Sequence, residues 1–97
     1  MNVKVLPIAR EDVNRALVYI AADDPAAASE LYDGIIAALH RAAEFPHAAP
    51  QIAVGGRRNR VYFKLYVKPY HIYYRVIQDT LIVMRVLHER MDADSRL

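Results

Sequence analysis

The sequence contains no cysteine, and this absence removes several kinds of chemistry from consideration. Disulfides, thiolate catalysis and zinc–thiolate sites are excluded, and a reducing compartment is compatible with the chain. Glycine is also scarce: beyond Gly34 there is only the pair Gly55–Gly56, which predicts a turn and not a phosphate-binding loop. The four histidines and scattered carboxylates lack the spacing of metal ligands. We therefore expect neither a metal nor a cofactor.

Long apolar runs are missing as well. No run approaches 18 residues, and the N-terminus has no apolar core of a signal peptide. We therefore expect a cytoplasmic protein with no membrane partner. A length of 97 residues fits one domain spanning residues 1–97. Hydrophobic residues make up 55% of the chain, and part of this content is expected to form a surface for a partner.

The net charge of +2 hides an asymmetry between the two halves of the chain. Residues 1–50 carry four basic and seven acidic side chains, whereas residues 51–97 carry nine basic and four acidic ones. The second half is therefore suited to an acidic partner, although a solubilising surface is the more common reason for such a charge pattern.

The first part of the chain predicts a strand and a helix. Residues 2–6 alternate between apolar and polar side chains and favour a short strand, which Pro7 ends. A helix is predicted over residues 8–22, with Glu11 and Asp12 near its first turn, where the helix dipole favours carboxylates. The apolar stripe of this helix consists of Val13, Ala16, Leu17 and Ile20.

A second helix is predicted over residues 25–44. Asp24 is suited to the N-cap position and Pro25 to the first helical position, and Phe45–Pro46 stops the helix. Small alanine side chains, concentrated before residue 54, allow the two helices to approach closely. The predicted buried stripe comprises Ala28, Leu31, Tyr32, Ile35, Leu39 and Ala42.

The rest of the chain predicts a loop and three strands. Residues 46–56 are expected to form the loop, and the strands to cover residues 57–66, 70–77 and 80–88. Lys68–Pro69 and Gln78–Asp79 form the predicted turns. The last strand is apolar on both faces, which indicates a central position. The order β-α-α-β-β-β predicts an α+β fold, with a helical hairpin packed on a small, mainly antiparallel sheet.

Several segments resemble the RelE/ParE superfamily of bacterial toxins. Early pieces are Tyr19–Ile20, the Asp-Asp-Pro-Ala-Ala-Ala run at 23–28, and Phe45–Pro46. The more specific ones are Tyr-His-Ile-Tyr-Tyr-Arg-Val at 70–76 and Val-Met-Arg-Val-Leu-His-Glu-Arg-Met-Asp at 83–92. The resemblance spans the whole chain. It implies the toxin of a type II toxin–antitoxin pair, neutralised by a small antitoxin whose C-terminal segment wraps around it.

The resemblance also implies one of two activities. RelE-type toxins cut mRNA on the ribosome, whereas ParE-type toxins are associated with poisoning DNA gyrase. RelE types place an arginine after the tyrosine that opens the third-strand motif, and here His71 takes that position. RelE types also carry a lysine pair and a C-terminal tyrosine, but here Lys64 and Lys68 are four residues apart and no tyrosine follows Tyr74. The chain therefore resembles the ParE type more closely.

Ribonuclease chemistry nevertheless stays open as an alternative. It requires cations at the phosphate and a positioned acid–base pair. His71 and Arg75 share one face of a strand, whereas the adjacent His88 and Glu89 would point to opposite faces. The candidate catalytic residues for this alternative are His71, Arg75, His88 and Arg90; for each histidine, a polar position on the sheet is the favoured explanation.

Basic and aromatic residues supply the candidates for partner binding. Arg57-Arg58-Asn59-Arg60 with Tyr62, Phe63 and Tyr66 indicates either contact with nucleic acid or an acidic protein, or an edge strand protected by charge. Sequence-specific DNA binding by the chain alone is not expected, because neither helix is basic. In the 70–77 strand, alternation predicts a core position for Tyr74 and a surface position for Tyr73. The partner-binding candidates are Arg57, Arg58, Arg60, Tyr73, Arg75, Arg85, His88 and Arg90.

The leading hypothesis is a toxin without catalysis of its own that binds DNA gyrase and is neutralised by a cognate antitoxin. The antitoxin is expected to lay an amphipathic or extended segment into an apolar groove formed by the helical hairpin and the sheet. Two alternatives are a ribosome-dependent endoribonuclease and a degenerate toxin that only binds antitoxin.

Overall fold

The computed structural model of the protein describes residues 1–53 and 60–97. The strand β1 covers Asn2–Val5, and the helices α1 and α2 cover Pro7–Ala21 and Pro25–Glu44. Four strands follow: β2 at Gln51–Ala53, β3 at Val61–Val67, β4 at Tyr70–Ile77 and β5 at Thr80–His88. The predicted order is confirmed with one addition, because β2 lies within the segment predicted as a loop.

The strands of the described residues form one mixed sheet with the order β1-β5-β4-β3-β2. β1 runs parallel to β5, and the other neighbours are antiparallel. β5 is therefore central, as its apolar sequence predicted. β3 lies between β4 and β2, but β2 pairs with it only over Val61–Phe63, so this part of the strand is not an edge. The predicted start of that strand at residues 57–59 lies outside the described residues.

Local signals define the second helix as predicted. The Asp24 carboxylate accepts a hydrogen bond from the Ala27 backbone N–H at 3.1 Å, and Pro25 occupies the first turn. The predicted burial of Tyr32, however, is wrong, since 48% of this residue is exposed. Burial on α2 follows a narrow stripe that passes beside Tyr32: Ala28, Leu31, Ile35, Ala38 and Ala42.

Both faces of the sheet are covered, although by different parts of the chain. The helical hairpin packs on one face and forms the larger core. On the opposite face, which we call the outer face, Tyr62, Tyr73 and Leu87 form a second cluster. Partly buried side chains from β2, β5 and the C-terminal tail pack against this cluster: Ile52, Met84, Ala93 and Leu97. The tail thus turns part of the outer face into a second small core.

An irregularity in the β4–β5 pairing determines which residues of β5 face each core. Tyr73 pairs with Arg85 and Tyr74 pairs with Val83, so Met84 is an extra residue in the ladder. This bulge brings Val83 and Val86 into the same core beneath the helices. It also places Arg85 at the point where β1 has ended, since the last β1 pairing is Val5 with Val83.

Candidate partner-binding surfaces

A buried ion pair connects α1 to β5 beyond the end of β1. The Asp12 side chain is only 4% exposed and accepts hydrogen bonds from Arg85 Nε at 2.8 Å and Arg85 Nη2 at 2.9 Å. The same carboxylate accepts the Val86 backbone N–H at 3.0 Å, so it satisfies a donor on the strand edge that β1 leaves free. Asp12 therefore has a structural role in addition to its place in the first part of the helix.

The ion pair fixes the protonation and the position of Arg85. Hydrogen bonding to Asp12 and the charge of this carboxylate raise the pKa of Arg85 although burial opposes the rise. Arg85 Nη1 donates to the Arg96 backbone carbonyl at 3.1 Å, which ties the C-terminal tail to β5. All three guanidinium nitrogens of Arg85 are thus engaged within the chain. Arg85, one of the predicted partner-binding residues, is therefore held by contacts within the chain.

A pocket of about 440 Å³, which we call the basic pocket, opens beside this ion pair. Among the described residues that line it, Asp12 is the one acidic side chain, and four arginines surround it. Its floor is apolar and aromatic. The basic members are Arg15, Arg85, His88, Arg90 and Arg96, and the remaining lining residues are Asp12, Ala16, Tyr19, Tyr70, Val86 and Met91.

His88 is oriented within the basic pocket by two contacts. Its Nδ1 accepts a hydrogen bond from the Arg90 backbone N–H at 3.1 Å. A hydrogen bond from the imidazole to any other group must therefore be made through Nε2. The imidazole also meets the Tyr70 ring edge-on, with 5.3 Å between centroids. Two of the predicted site residues, His88 and Arg90, therefore lie together in the basic pocket on the α1 side of the sheet.

The other two ribonuclease candidates lie on the outer face. His71 contacts the rings of Tyr66 and Tyr73, and the Arg75 guanidinium lies 5.8 Å from the centroid of the Tyr62 ring. Burial, together with the nearby Lys64 charge, lowers the pKa of His71, and Glu89 partly opposes this shift. The sheet thus separates the His71–Arg75 pair from the His88–Arg90 pair.

The basic–aromatic cluster predicted around residues 57–66 is only partly assembled. Tyr62 and Phe63 are buried, so they cannot stack on a nucleic acid, and this part of the prediction is wrong. Arg60 is exposed and its Nη1 lies 3.5 Å from the Tyr62 hydroxyl. The predicted candidates Arg57 and Arg58 lie outside the described residues. Tyr66 is exposed, and its hydroxyl donates to Glu89 at 3.0 Å.

The predicted surface position of Tyr73 is also wrong, because only 3% of this residue is exposed. Alternation correctly places Tyr73 on the outer face, opposite Tyr74. That face is covered, however, by side chains from the C-terminal tail, including Ala93 and Leu97. Tyr73 is therefore unavailable to a partner while the tail is in place.

An apolar groove runs along the helical hairpin. The sequence predicted such a groove but not the residues that line it. It consists of two adjoining hollows of about 410 Å³ and 310 Å³ that share Leu17 and Tyr32. Val18, beside the first hollow, is 73% exposed, and Tyr19 is 78% exposed. We call this feature the hairpin groove; its other apolar members are Val5, Val13, Ala21, Ala28, Ile35, Ile36, Leu39, Ile72, Val83 and Val86.

Within residues 1–53 and 60–97, no group of three or more histidine or acidic side chains is arranged to hold a metal ion. No helix in that part of the chain is both long and apolar enough to cross a membrane.

The fold matches that of a solved toxin–antitoxin protein. The structure is similar to a chain described as "Chromosomal ParDE TA system from P. aeruginosa", with a TM-score of 0.64 and 16% sequence identity. The match covers 91% of this chain and 95% of that chain, and at this identity it shows the fold alone. Among curated proteins, none matches the sequence.

The sequence itself identifies the family. The family model described as "ParE toxin of type II toxin-antitoxin system, parDE" matches residues 3–93, nearly the whole chain. The chain therefore belongs to the ParE toxin family. The predicted resemblance to the ParE type within the RelE/ParE superfamily is confirmed.

Proposed function

We propose that this ParE-family toxin inhibits DNA gyrase and is neutralised by a cognate antitoxin that covers the hairpin groove. Membership of the ParE family supports the choice of gyrase, since toxins of this type are associated with gyrase poisoning. Gyrase acts on chromosomal DNA, so the proposed place of action is the cytoplasm. The single observation that carries the antitoxin proposal is the large apolar surface left open on α1 and α2.

The hairpin groove suits an amphipathic partner segment. Val18 and Tyr19 are among the most exposed large apolar residues of the chain and sit next to each other on α1, while Tyr32 and Ile36 extend the surface onto α2. Exposed apolar patches rimmed by polar residues are typical of protein interaction sites. A helix laid into such a groove places its apolar side chains there at helical spacing. We therefore expect the toxin to be more soluble with its antitoxin than alone.

The ribonuclease alternative has less support. Its four candidate residues are divided between two surfaces, with His71 and Arg75 on the outer face and His88 and Arg90 in the basic pocket. General acid–base catalysis needs its acid and base within hydrogen-bonding reach of one substrate. The division favours a binding function over catalysis.

A supercoiling assay tests the gyrase proposal directly. Purified toxin added to gyrase and relaxed plasmid is expected to inhibit supercoiling or to trap cleaved DNA. The same preparation is added to translating ribosomes, where no mRNA cleavage is expected. If supercoiling is untouched while mRNA on the ribosome is cut, the toxin is a ribonuclease. If neither reaction changes and expression harms no cell, the chain is a degenerate toxin that only binds antitoxin.

The hairpin groove is tested by co-purification with the small protein encoded beside the toxin. Val18→Glu places a charge in the groove at an exposed position, so the toxin is expected to fold normally but to lose its partner. Ile77→Glu is the matched control, because Ile77 is exposed at the end of β4 and does not line the groove. Equal loss of partner in both variants would contradict the groove as the binding site.

A further inference from the structure

The basic pocket and the hairpin groove meet on one helix. Val18 lines the hairpin groove, and its neighbour Tyr19 lines the basic pocket. Val86 lines both as well, beneath α1. A polypeptide that leaves the groove by crossing α1 at Val18 and Tyr19 therefore arrives at the basic pocket without crossing another element.

We propose that the basic pocket binds an aspartate or glutamate side chain of the partner polypeptide that covers the hairpin groove. The partner segment is thus apolar where it lies in the groove and acidic where it reaches the pocket. This inference rests on the proposed function, because it concerns the same partner, and it adds the chemistry by which the toxin recognises one end of that segment.

The charge of the pocket supports an anionic ligand. Its lining contains four arginines and one described carboxylate, which leaves an excess of positive charge. The charge of Arg85 is balanced by Asp12, and each of its guanidinium nitrogens already donates one hydrogen bond within the chain, so the excess positive charge resides on Arg15, Arg90 and Arg96. Within the described chain, no ion pair joins Arg90 or Arg96 to a carboxylate. Arg15 lies 3.8 Å from Asp12, and its side chain is mostly exposed.

The walls of the pocket strengthen this attraction. Ala16, Tyr70 and Val86 are buried and form a low-dielectric floor beneath the arginines. Charges at such a surface interact more strongly than charges surrounded by water. Arginine also binds a carboxylate through two parallel hydrogen bonds, which gives the contact directionality. The exposed Tyr19 ring offers an apolar wall for the methylene groups of a glutamate.

The neighbouring groove favours a polypeptide over a nucleic acid as the source of the anion. A nucleic acid strand carries a phosphate at every nucleotide, roughly every 3.4 Å along a duplex strand. A strand long enough to fill both sites would place phosphates against the apolar side chains of Leu17, Ala28 and Ile36. A polypeptide can place apolar side chains in the groove and confine its charges to the pocket.

The proposal is tested with short defined peptides. Acetylated triglutamate amide is titrated into isotope-labelled toxin, and backbone amide shifts are followed by NMR. The expected result is saturable shifts at residues around the pocket, such as Tyr19, His88 and Arg90, which weaken as salt is raised. Triglutamine amide, of the same shape but uncharged, is expected to leave these shifts unchanged. Shifts spread over all basic surfaces, or equal shifts with triglutamine, would overturn the proposal.

Charge-matched variants separate a site from general attraction. The double variant Arg90→Gln/Arg96→Gln is expected to weaken triglutamate binding about tenfold. The control Lys4→Gln/Arg41→Gln removes the same charge from exposed positions outside the pocket and is expected to change the affinity little. Equal weakening in both double variants would show nonspecific attraction and reject the site.

A short oligothymidylate is titrated as a third probe. Tighter binding of this probe than of triglutamate at the same amides would assign the pocket to nucleic acid and overturn the proposal. These titrations do not involve gyrase or an antitoxin. A toxin that spares gyrase but binds triglutamate in the pocket therefore refutes the proposed activity alone, whereas one that inhibits gyrase but does not bind triglutamate refutes the pocket alone.

Discussion

Asp12 in α1 and Arg85 in β5 are 73 residues apart in sequence and share two hydrogen bonds of 2.8 Å and 2.9 Å. The pair closes the sheet where β1 ends, because Asp12 also accepts the Val86 backbone N–H. The Asp12 carboxylate therefore accepts a backbone hydrogen bond from β5 that the next residue of a longer β1 would otherwise have accepted. This relationship sets the position of α1 over the sheet and one wall of the basic pocket.

Replacing Asp12 is expected to destabilise the toxin strongly. Asp12→Asn removes the charge that compensates Arg85 in a largely buried setting, and breaking such a pair costs about 3 kcal/mol. The free energy of unfolding, measured by urea denaturation, should fall by that amount. Glu11→Gln, an exposed neighbour on the same helix, is the control and should change it by less than about 0.5 kcal/mol. Similar losses in the two variants would mean that the ion pair contributes little.

The Tyr74 hydroxyl is expected to stabilise the segment that follows α2. This hydroxyl donates to the Pro46 backbone carbonyl at 2.7 Å, and the Tyr74 ring is fully buried and stacked on Phe63. Tyr74→Phe should lower the free energy of unfolding by about 1 kcal/mol. Tyr66→Phe is the matched control, because its hydrogen bond to Glu89 is exposed and worth less. The prediction fails if thermal denaturation ranks the two variants in the opposite order.

The effect on stability of replacing Gly34 in α2 is expected to depend on which residue occupies position 67. A Cβ atom at Gly34 would lie 2.9 Å from Val67 Cγ1, which is too close. Gly34→Ala gains about 1 kcal/mol of helix propensity but overpacks this contact at a cost of about 1–3 kcal/mol. We expect net destabilisation in the natural chain and stabilisation when Val67→Ala is already present. A double-mutant cycle by urea denaturation measures this change of sign, and additive effects would refute it.

His71 is expected to make the toxin less stable on acidification. Burial and Lys64 lower the pKa of His71 in the folded chain, with Glu89 opposing them, while the rings of Tyr66 and Tyr73 lie alongside. The unfolded chain therefore takes up a proton first, as the pH falls through about 6.5. Stability present above this pH should be lost below it.

The contribution of His71 to the pH dependence of stability is measured by comparing the natural chain with a variant that lacks this histidine. Urea midpoints are compared between pH 8 and pH 5 for the natural chain and for His71→Gln, which keeps polarity but cannot titrate in this range. The natural chain should lose more stability than the variant. An equal pH dependence in the two proteins would show that other groups account for it.

Much of the fold could be predicted because its signals are local. Asp24, Pro25 and the Phe45–Pro46 pair mark both ends of α2 by their effects on nearby backbone hydrogen bonds, and the helix has the predicted bounds. The central position of β5 followed from a run that is apolar on both faces. β2 was missed because three residues are too short to show alternation.

The candidate site was less predictable because its contacts are distant in sequence. Asp12 looked like an ordinary carboxylate near a helix start, and nothing local indicates that Arg85 neutralises it. Tyr73 was assigned to the correct face, but the tail that buries it has a mostly polar sequence, and its Ala93 and Leu97 pack against this cluster. A bulge at Met84 shifts the alternation of β5, and no residue type in this segment predicts the bulge.

The place of β5 in the sheet has a consequence for the nascent chain. This strand pairs with β1 on one side and β4 on the other, and its Arg85 and Val86 hold α1. A growing polypeptide that still lacks Thr80–His88 has no partner for its first strand and an uncompensated charge at Asp12. Non-local pairing of this kind delays folding until both partners exist. A nascent chain therefore cannot complete the sheet seen in the described residues before Thr80–His88 has emerged from the ribosome.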